Sequence, residues 1–291
     1  MNMKIQSVLV LSIMLVLSLS SCKKDDKNNN NNTDGPMLRF KFVLDPTQQR
    51  LGNLGAPAAM PAGHAGQNPQ FNGISAHYLE LAPTQYTLLG AGTVLFMNEE
   101  TTAGGSKAIV FDKEIIKNNG EVFLEVPIKD VIPGSYEWLR VSLAYQNYNV
   151  QFDALGSTFT GTLASFVGYN TYVESYKIKD STVVVNGNKA QGYWGFETIY
   201  TVNTGQAPAT TVPNPIQATS PIPLNSCVVT GGFAQPFVIT GSETEDVTVL
   251  VSLSTNKSFE WEDLNGDNTW DPLDGENVVD MGLRGLEPRI E

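Results

Sequence analysis

The segment from residue 263 to residue 274 has the residue types and spacing with the most specific chemistry in this chain. It reads Asp-Leu-Asn-Gly-Asp-Asn-Thr-Trp-Asp-Pro-Leu-Asp, which places carboxylate or amide oxygens at loop positions 1, 3, 5, 9 and 12. Oxygens at this spacing wrap a short chain around a hard cation such as Ca²⁺. The predicted metal ligands are the side chains of Asp263, Asn265 and Asp267, the backbone carbonyl of Thr269, Asp271 directly or through water, and Asp274, which closes the shell.

The segment resembles the dockerin-type variant of the EF-hand calcium loop, in which Asn often stands at position 3 and Asp at position 12. It departs from that family at position 6, where Asn268 replaces the Gly that makes a left-handed bend. Asn tolerates this bend better than most residues do. Pro272 and Gly275 leave little room for the exit helix of an EF-hand, so the resemblance covers the loop and no whole dockerin domain.

Charge supports a cation at this place. Between Lys257 and Arg284 the chain has eight acidic residues and no basic residue. Carboxylates packed this closely repel one another and raise one another's pKa, and a divalent cation removes that repulsion. We therefore expect a structural calcium ion that fixes Trp261 and Trp270 against the fold. The alternative is a solvated acidic turn between two strands.

The N-terminus resembles a bacterial lipoprotein signal. Residues 1–21 contain one charged residue, Lys4, and an apolar run from residue 8 to 19, and they end at the lipobox-like Leu19-Ser20-Ser21-Cys22. The run is too short to span a bilayer as a mature helix. The resemblance implies cleavage before Cys22 and acylation of Cys22 with palmitate-type chains, which anchor it in outer-membrane lipid. More than one acyl chain makes such anchoring stable. The alternative is an ordinary secretory signal with a chance Cys.

Residues 22–36 are predicted to form a flexible tether, because no apolar residue occurs between Cys22 and Pro36. The Lys-Asp-Asp patch at residues 24–26 resembles the surface-export signal of Bacteroidota-type lipoproteins. That resemblance implies an anchor in the outer leaflet, facing the exterior of the cell. A periplasm-facing anchor is the alternative.

Residues 37–291 are predicted to form an all-β domain, an antiparallel β-sandwich with long loops. Only 16% of the 291 residues are charged, and 26 Gly and 16 Pro favour strands joined by many turns. Leu38, Phe40, Phe42 and Leu44 alternate with other residues, as in a half-buried strand. Asn186-Gly187 indicates a tight turn between antiparallel strands. Residues 51–73 are predicted to be a long loop, and residues 203–223 a surface connection or a linker between two domains.

Several classes of function are disfavoured. A net charge of −12 repels the phosphates of nucleic acid. The chain has only two histidines and lacks a Gly-x-Ser-x-Gly elbow, a His-Glu-x-x-His motif and a phosphate-binding glycine loop, so we predict no enzyme. The acid pair Glu260 and Glu262 falls in the predicted calcium region, which outweighs a glycosidase interpretation. Cys227 has no partner if Cys22 is acylated, and an inert buried thiol is expected.

Copper binding is one alternative function. His64 lies four residues after Met60, and His77 lies in a strand-like run; His and Met are copper ligands. Residues 71–81 and the later Pro133-Gly134-Ser135-Tyr136 strand resemble MbnP-like copper-binding β-sandwich domains. The resemblance implies a copper site with His64 and His77 as the candidate ligands.

Glycan binding is the other alternative. The run from Tyr136 to Phe152 is rich in aromatic residues, and Trp138 and Trp194 are candidates for an exposed platform that stacks sugars. Core packing accounts for most aromatic residues first. The sequence thus predicts a lipid-anchored, cell-surface β-sandwich that acts as a non-enzymatic binding or envelope-structural module, with an unknown protein or glycan ligand.

Overall fold

Strands with alternating burial build the first core of the molecule. In β1 (Met37–Asp45) every second residue is buried, beginning at Leu38. Leu38, Phe40 and Phe42 are completely buried, which is the pattern of a strand with one face against a core. The half-buried strand predicted here is therefore confirmed.

The computed structural model describes residues 35–51, 57–207, 225–283 and 285–291, which belong to one compact unit. In these ranges the regular elements are strands and three single 3₁₀ turns, and no helix is long and apolar enough to cross a membrane. The strands after β1 are β2 (His64–Gln67), β3 (Gln70–Ala82), β4 (Thr93–Met97), β5 (Glu100–Thr101), β6 (Ala108–Val110), β7 (Val122–Pro127), β8 (Gly134–Ala154), β9 (Ser157–Phe166), β10 (Asn170–Lys177), β11 (Thr182–Ala190), β12 (Tyr193–Glu197), β13 (Val202–Gln206), β14 (Cys227–Ile239), β15 (Val247–Ser254), β16 (Phe259–Glu262), β17 (Val278–Asp280) and β18 (Leu286–Ile290). The 3₁₀ turns are η1 (Phe111–Lys113), η2 (Ile128–Asp130) and η3 (Pro272–Asp274).

The strands form four sheets. The largest has the order β13-β12-β9-β8-β3-β4, with β14 also paired to β8. The others have the orders β18-β15-β1-β7, β11-β10-β6-β5 and β17-β16-β2. Most pairs are antiparallel, but β1 pairs with β15 and β6 with β10 in parallel. The predicted all-β class is confirmed, with this mixture of directions added to the antiparallel arrangement.

A β-bulge in the long strand β8 decides which of its side chains face which core. Ser75 pairs with Tyr145 and Ala76 with Leu143, so Ala144 is an extra residue on β8. Such a bulge reverses the alternation of side chains along a strand. Leu139, Val141 and Leu143 before the bulge pack with β1 and β15, whereas Tyr148, Val150 and Phe152 after it pack with Phe259, Trp261 and Trp270. One face of the large sheet thus contributes to two successive apolar cores.

The opposite face of the large sheet carries a third apolar core and a buried polar region. The third core contains Tyr145, Phe166, Val173, Tyr176 and Tyr193, and it lies between the large sheet and β10. Further along β3 and β8, Ser75, His77, Glu80, Arg140 and Ser142 are all buried although they are polar. Polar groups in an interior need partners, so this region has to be held by hydrogen bonds and ion pairs.

Two local predictions were wrong. Asn186-Gly187 is no hairpin turn but lies inside β11, where Asn186 has a left-handed φ of 50° and the pairing with β10 shifts register. The same backbone preference that favours Asn in a turn also suits a bulge. Of the long loop predicted over 51–73, the described part contains β2 and the start of β3. Residues 208–223 of the predicted connection lie outside the described residues.

Candidate functional site

The predicted calcium loop connects two paired strands. β16 and β17 are antiparallel, and the segment between them contains residues 263–274. The Glu262 N–H donates to Asn277 O at 3.0 Å, and the Asp263 N–H donates to Gly63 O at 2.9 Å. The start of the loop is therefore fixed both to its own hairpin and to the segment that leads into β2.

The backbone at position 6 takes the bend that the loop requires. Asn268 has a left-handed φ of 63°. Asp263 at position 1 accepts hydrogen bonds from the N–H of Gly266 at 2.8 Å and of Asn268 at 3.3 Å. Asn268 can adopt this bend because a short polar side chain tolerates left-handed backbone.

The side chains at positions 3, 5, 7 and 9 form one hydrogen-bonded network. Asn265 Nδ2 donates to Asp267 Oδ2 at 2.9 Å and to Asp271 Oδ2 at 3.3 Å. The Thr269 hydroxyl donates to Asp267 Oδ1 at 2.7 Å and to Asp271 Oδ2 at 3.2 Å. Asn265 and Thr269 thus hold the carboxylates of Asp267 and Asp271 close together. Asp274 ends η3 and is exposed, and its N–H donates to Asp271 O at 3.0 Å.

The expectation that these carboxylates raise one another's pKa is wrong for Asp267. Hydrogen bonds from the N–H and the hydroxyl of Thr269 lower the pKa of Asp267 below its usual value. A carboxylate that accepts such bonds keeps its charge more easily. The loop therefore offers an ionised oxygen ligand at position 5.

Glu276 is a structural residue of this loop that the sequence-based set of candidates did not include. Its carboxylate accepts the Leu264 N–H at 3.0 Å through Oε1 and the Asp271 N–H at 2.8 Å through Oε2, and the residue is 4% exposed. Glu276 lies outside the twelve-residue spacing, so only the folded chain shows that it joins both sides of the loop. Its hydrogen bonds hold the two sides of the loop together, as coordination to a bound cation would also do.

Two indole rings attach the loop region to the second core. Trp261 is 1% exposed and Trp270 is 8% exposed. The Trp270 ring lies 4.9 Å from Phe259 and 5.6 Å from Phe196, and its Nε1 donates to Glu276 O at 3.2 Å. Position 8 of the loop is thus buried in the sandwich.

The fit of the loop to Ca²⁺ rests on its donors and its backbone. Asp263, Asp267 and Asp271 provide hard oxygen ligands, and the bend at Asn268 is of the required hand. Within the described ranges no three His, Cys, Asp or Glu side chains converge in the arrangement of a metal site. Calcium binding therefore stays a prediction.

His64 belongs to a buried ion-pair cluster next to the loop. Its Nδ1 lies 2.6 Å from Glu260 Oε1, and Arg50 binds the other oxygen of the same carboxylate. The side chain of Glu260 is 5% exposed. The sequence placed Glu260 among the loop carboxylates, but its partners come from segments about two hundred positions earlier, so it is no candidate ligand of the loop. Met60, the other residue of the copper hypothesis, packs against Gly66 of β2.

His77 lies in a different cluster on β3. It is completely buried, and its Nε2 lies 3.2 Å from Glu100 Oε1, which also accepts the Tyr169 hydroxyl at 2.8 Å. Lys107 Nζ lies 2.6 Å from Glu100 Oε2. Burial lowers the pKa of His77, so the imidazole is neutral at pH 7. The structure assigns each histidine its own glutamate, and copper binding by His64 and His77 stays a prediction.

The two tryptophans predicted as sugar platforms each cover a glycine on a neighbouring strand. A Cβ added to Gly232 would lie 2.6 Å from the Trp138 ring, and one added to Gly205 would lie 2.5 Å from the Trp194 ring. Trp138 Nε1 also donates to the Thr230 hydroxyl. Both rings are half-buried. Their role in pairing strands is structural, and each leaves part of its ring open to solvent.

The remaining candidate residues are cysteines. Cys22 and the predicted tether up to residue 34 lie outside the described residues. Cys227 at the start of β14 is a free thiol, and burial together with nearby Asp280 raises its pKa to about 12. The thiol therefore keeps its proton at neutral pH and is a poor nucleophile.

Comparison with known proteins gives no relative to set beside this geometry. No protein-family model, no curated protein and no solved structure matches the chain.

Proposed function

We propose that this protein is a lipid-anchored β-sandwich module of the outer membrane, exposed at the cell surface, that binds a ligand or supports the envelope without catalysis. Acylated Cys22 holds it in outer-membrane lipid, and residues 22–36 tether the folded domain. One structural Ca²⁺ ion in the loop of residues 263–274 stabilises that domain. The observation that carries the calcium part is the hydrogen-bonded network of Asn265, Asp267, Thr269 and Asp271, beside Asp263, which accepts the N–H of left-handed Asn268.

Each proposed ligand has a definite part. Asp263, Asp267 and Asp271 provide carboxylate oxygens, and Asn265 and Thr269 provide amide and carbonyl oxygens. Asp274 closes the shell at position 12. The ion supplies positive charge to a segment without Lys or Arg. Since the loop packs Trp270 into the second core, a fixed loop stabilises the whole sandwich.

Calcium is expected to raise the melting temperature of the protein. Extracellular modules of this kind bind Ca²⁺ with a Kd of about 10⁻⁴–10⁻³ M. At free Ca²⁺ of ten to one hundred times Kd, stabilisation is about 1.4–2.7 kcal/mol. Thermal unfolding followed by circular dichroism with added Ca²⁺ and with excess chelator measures this difference.

Isosteric variants separate ion binding from loss of loop structure. Asp267→Asn and Asp271→Asn keep a hydrogen-bond acceptor but remove a charge, so each is expected to abolish most of the gain from Ca²⁺. Asp112→Asn in η1 changes the net charge equally at an exposed place and should keep the full gain. Equal melting temperatures of the unmodified protein in Ca²⁺ and in chelator would exclude the calcium site.

The anchor is expected to depend on Cys22 alone. Expression of the full chain with Cys22→Ser should move the protein from the membrane fraction to the soluble fraction, because the acyl chains have no other attachment point. Incorporation of labelled palmitate should disappear with the same change. Protease treatment of intact cells distinguishes an exterior from a periplasmic anchor, and a membrane-bound, unlabelled Cys22→Ser protein would refute the proposal.

A further inference from the structure

The chain contains four Asn-Gly pairs, at residues 72–73, 119–120, 186–187 and 265–266. This dipeptide has a chemistry of its own, because glycine has no side chain to shield its backbone nitrogen from the preceding amide group. The glycine nitrogen attacks that amide when the asparagine side chain and the peptide between the two residues are free to rotate. All four pairs consist of the same residue types, so their surroundings in the fold decide which of them reacts.

Hydrogen bonds hold the first two pairs. Asn72 Nδ2 donates to Asn147 Oδ1 at 2.9 Å, and Asn149 Nδ2 donates to Asn72 Oδ1 at 3.3 Å. Asn119 Oδ1 accepts the Leu44 N–H at 2.9 Å, and the N–H of the following glycine donates to a carbonyl of β1 at 2.8 Å. The side-chain amides of both asparagines are therefore fixed in place.

The pair in the acidic loop is held even more completely. Asn265 Nδ2 donates to Asp267 and Asp271, and Asn265 Oδ1 accepts the Asp267 N–H at 2.9 Å. The Gly266 N–H donates to Asp263 Oδ1 at 2.8 Å. Both the amide and the nitrogen that would attack it have partners here. Reaction at any of these three pairs therefore has to break hydrogen bonds first.

Asn186 differs from the other three asparagines. It is exposed, and within the described ranges its side chain has no hydrogen bond. Gly187 pairs with Val173 and Val184 pairs with Ser175, so the two residues between Val184 and Gly187 form a bulge outside the ladder. Residues in a bulge are left unpaired by the neighbouring strand. The Asn186 side chain is thus free to rotate, and no ladder pairing of its own opposes rotation of its backbone.

The space around Gly187 is open as well. A Cβ added to Gly187 would have no neighbouring atom within 4 Å, whereas one added to Gly73 would lie 2.7 Å from the Ile116 side chain. A ring formed between Asn186 and Gly187 therefore meets no neighbour. Water also has access to it from the exposed edge of β11.

We propose that Asn186 is a site of spontaneous deamidation and isomerisation in the folded protein. The Gly187 nitrogen forms a bond to Cγ of Asn186, the Cγ–Nδ2 bond breaks, and ammonia leaves with the proton of the Gly187 N–H. The product is a succinimide. Water then adds to one of its two carbonyl carbons and breaks the bond from that carbon to nitrogen. Addition at Cγ gives aspartate, and addition at the backbone carbonyl carbon gives isoaspartate.

Either product places a carboxylate on β11, the edge strand of the sheet β11-β10-β6-β5. Isoaspartate also lengthens the main chain by one carbon atom within the bulge. The Asn186 side chain has no hydrogen bond to lose, and the bulge already interrupts the ladder. The modified protein is therefore expected to keep its fold and its melting temperature.

The test incubates the full chain, purified in detergent, at mildly alkaline pH, which favours loss of the Gly187 proton. Peptide mass spectrometry follows the mass gain from replacement of NH₂ by OH, and labelling by an isoaspartyl methyltransferase detects isoaspartate. Asn186 should convert about tenfold or more faster than Asn72, Asn119 and Asn265, because each of these first gives up hydrogen bonds. In guanidinium chloride the four should convert at similar rates, since only the fold distinguishes them.

Two variants connect the reaction to this pair. Gly187→Ala should slow conversion of Asn186, because a side chain shields the attacking nitrogen, and it should keep the melting temperature, because the space is open. Asn186→Gly suits the left-handed backbone and should abolish the product. Faster conversion of Asn72, Asn119 or Asn265 than of Asn186 in the folded protein would overturn the proposal. So would an Asn186 that converts in guanidinium chloride but stays intact in the folded protein, and none of these outcomes alters the calcium or Cys22 tests.

Discussion

Arg140→Met is expected to lower the free energy of unfolding by about 3–5 kcal/mol, the usual cost of leaving one member of a buried ion pair without its partner. Glu80 is completely buried on β3, and Arg140 Nη1 on β8 lies 3.6 Å from its Oε2. Arg140 also donates to the carbonyls of Gln85 and Thr87. The Tyr78 hydroxyl and the N–H groups of Gly90 and Gly92 also donate to Glu80, so loss of Arg140 leaves a hydrogen-bonded carboxylate without its counter-charge and frees two acceptors in the β3–β4 connection. Urea unfolding followed by fluorescence measures the change.

The control for Arg140 is another arginine with two acidic partners. Arg39 binds Glu125 and Asp246, but all three side chains are substantially exposed. Exposed pairs contribute about 0–1 kcal/mol, so Arg39→Met should be nearly neutral. Adding Glu80→Gln to Arg140→Met should restore part of the stability, because the uncompensated charge is removed. Equal losses of stability for Arg140→Met and Arg39→Met would show that the buried pair of Arg140 and Glu80 contributes no more than exposed pairs do.

Glu114→Gln is expected to stabilise the protein at pH 8 and to leave it nearly unchanged at pH 5. Glu114 Oε1 accepts from Asn98 Nδ2 at 2.7 Å, and the carboxyl also interacts with the Ser75 side chain, but burial outweighs both contacts. Burial raises the pKa of Glu114 from 4.5 to about 7. The folded protein therefore holds this proton more tightly than the unfolded chain does. The resulting stability is present below pH 4.5 and is lost as pH rises through 7.

The size of this effect follows from the pKa shift. Each pKa unit corresponds to about 1.4 kcal/mol, so the free energy of unfolding of the unmodified protein should fall by at most about 3 kcal/mol by pH 8. Denaturation at several pH values between 5 and 8 should show that the free energy of unfolding of the unmodified protein falls as pH rises. The curve of the Glu114→Gln variant should be flatter. His77, whose pKa is lowered, acts in the opposite direction as pH falls below 6.5, and it is common to both proteins. Parallel curves would refute the assignment.

Strand positions were predictable where one face of a strand is buried. Alternation at Leu38–Leu44 identified β1, because apolar residues two apart lie on the same side. The tight turn at Asn186-Gly187 was wrong, since Asn and Gly suit any left-handed position, whether in a turn or in a bulge. Local preference predicts the left-handed backbone at Asn186, but it does not distinguish a turn from a bulge.

The loop of residues 263–274 shows which contacts residue spacing can predict and which it cannot. Asn265 and Asp267 do lie together, since they are only two positions apart along a tightly bent chain. Glu276 and the partners of Glu260 were not predictable, because Arg50 and His64 reach Glu260 only when β2 pairs with β16.

The sequence by itself determined the all-β class, strand β1 and the cluster of acidic residues at 263–274, because these depend on composition, periodicity and short spacing. Only the tertiary structure decided which polar groups are partners and which aromatic rings face solvent. An extra residue at Ala144 reverses the facing of every later side chain on β8, and pairing between distant strands brings single charges together. Such effects depend on register between distant segments, which a local pattern does not contain.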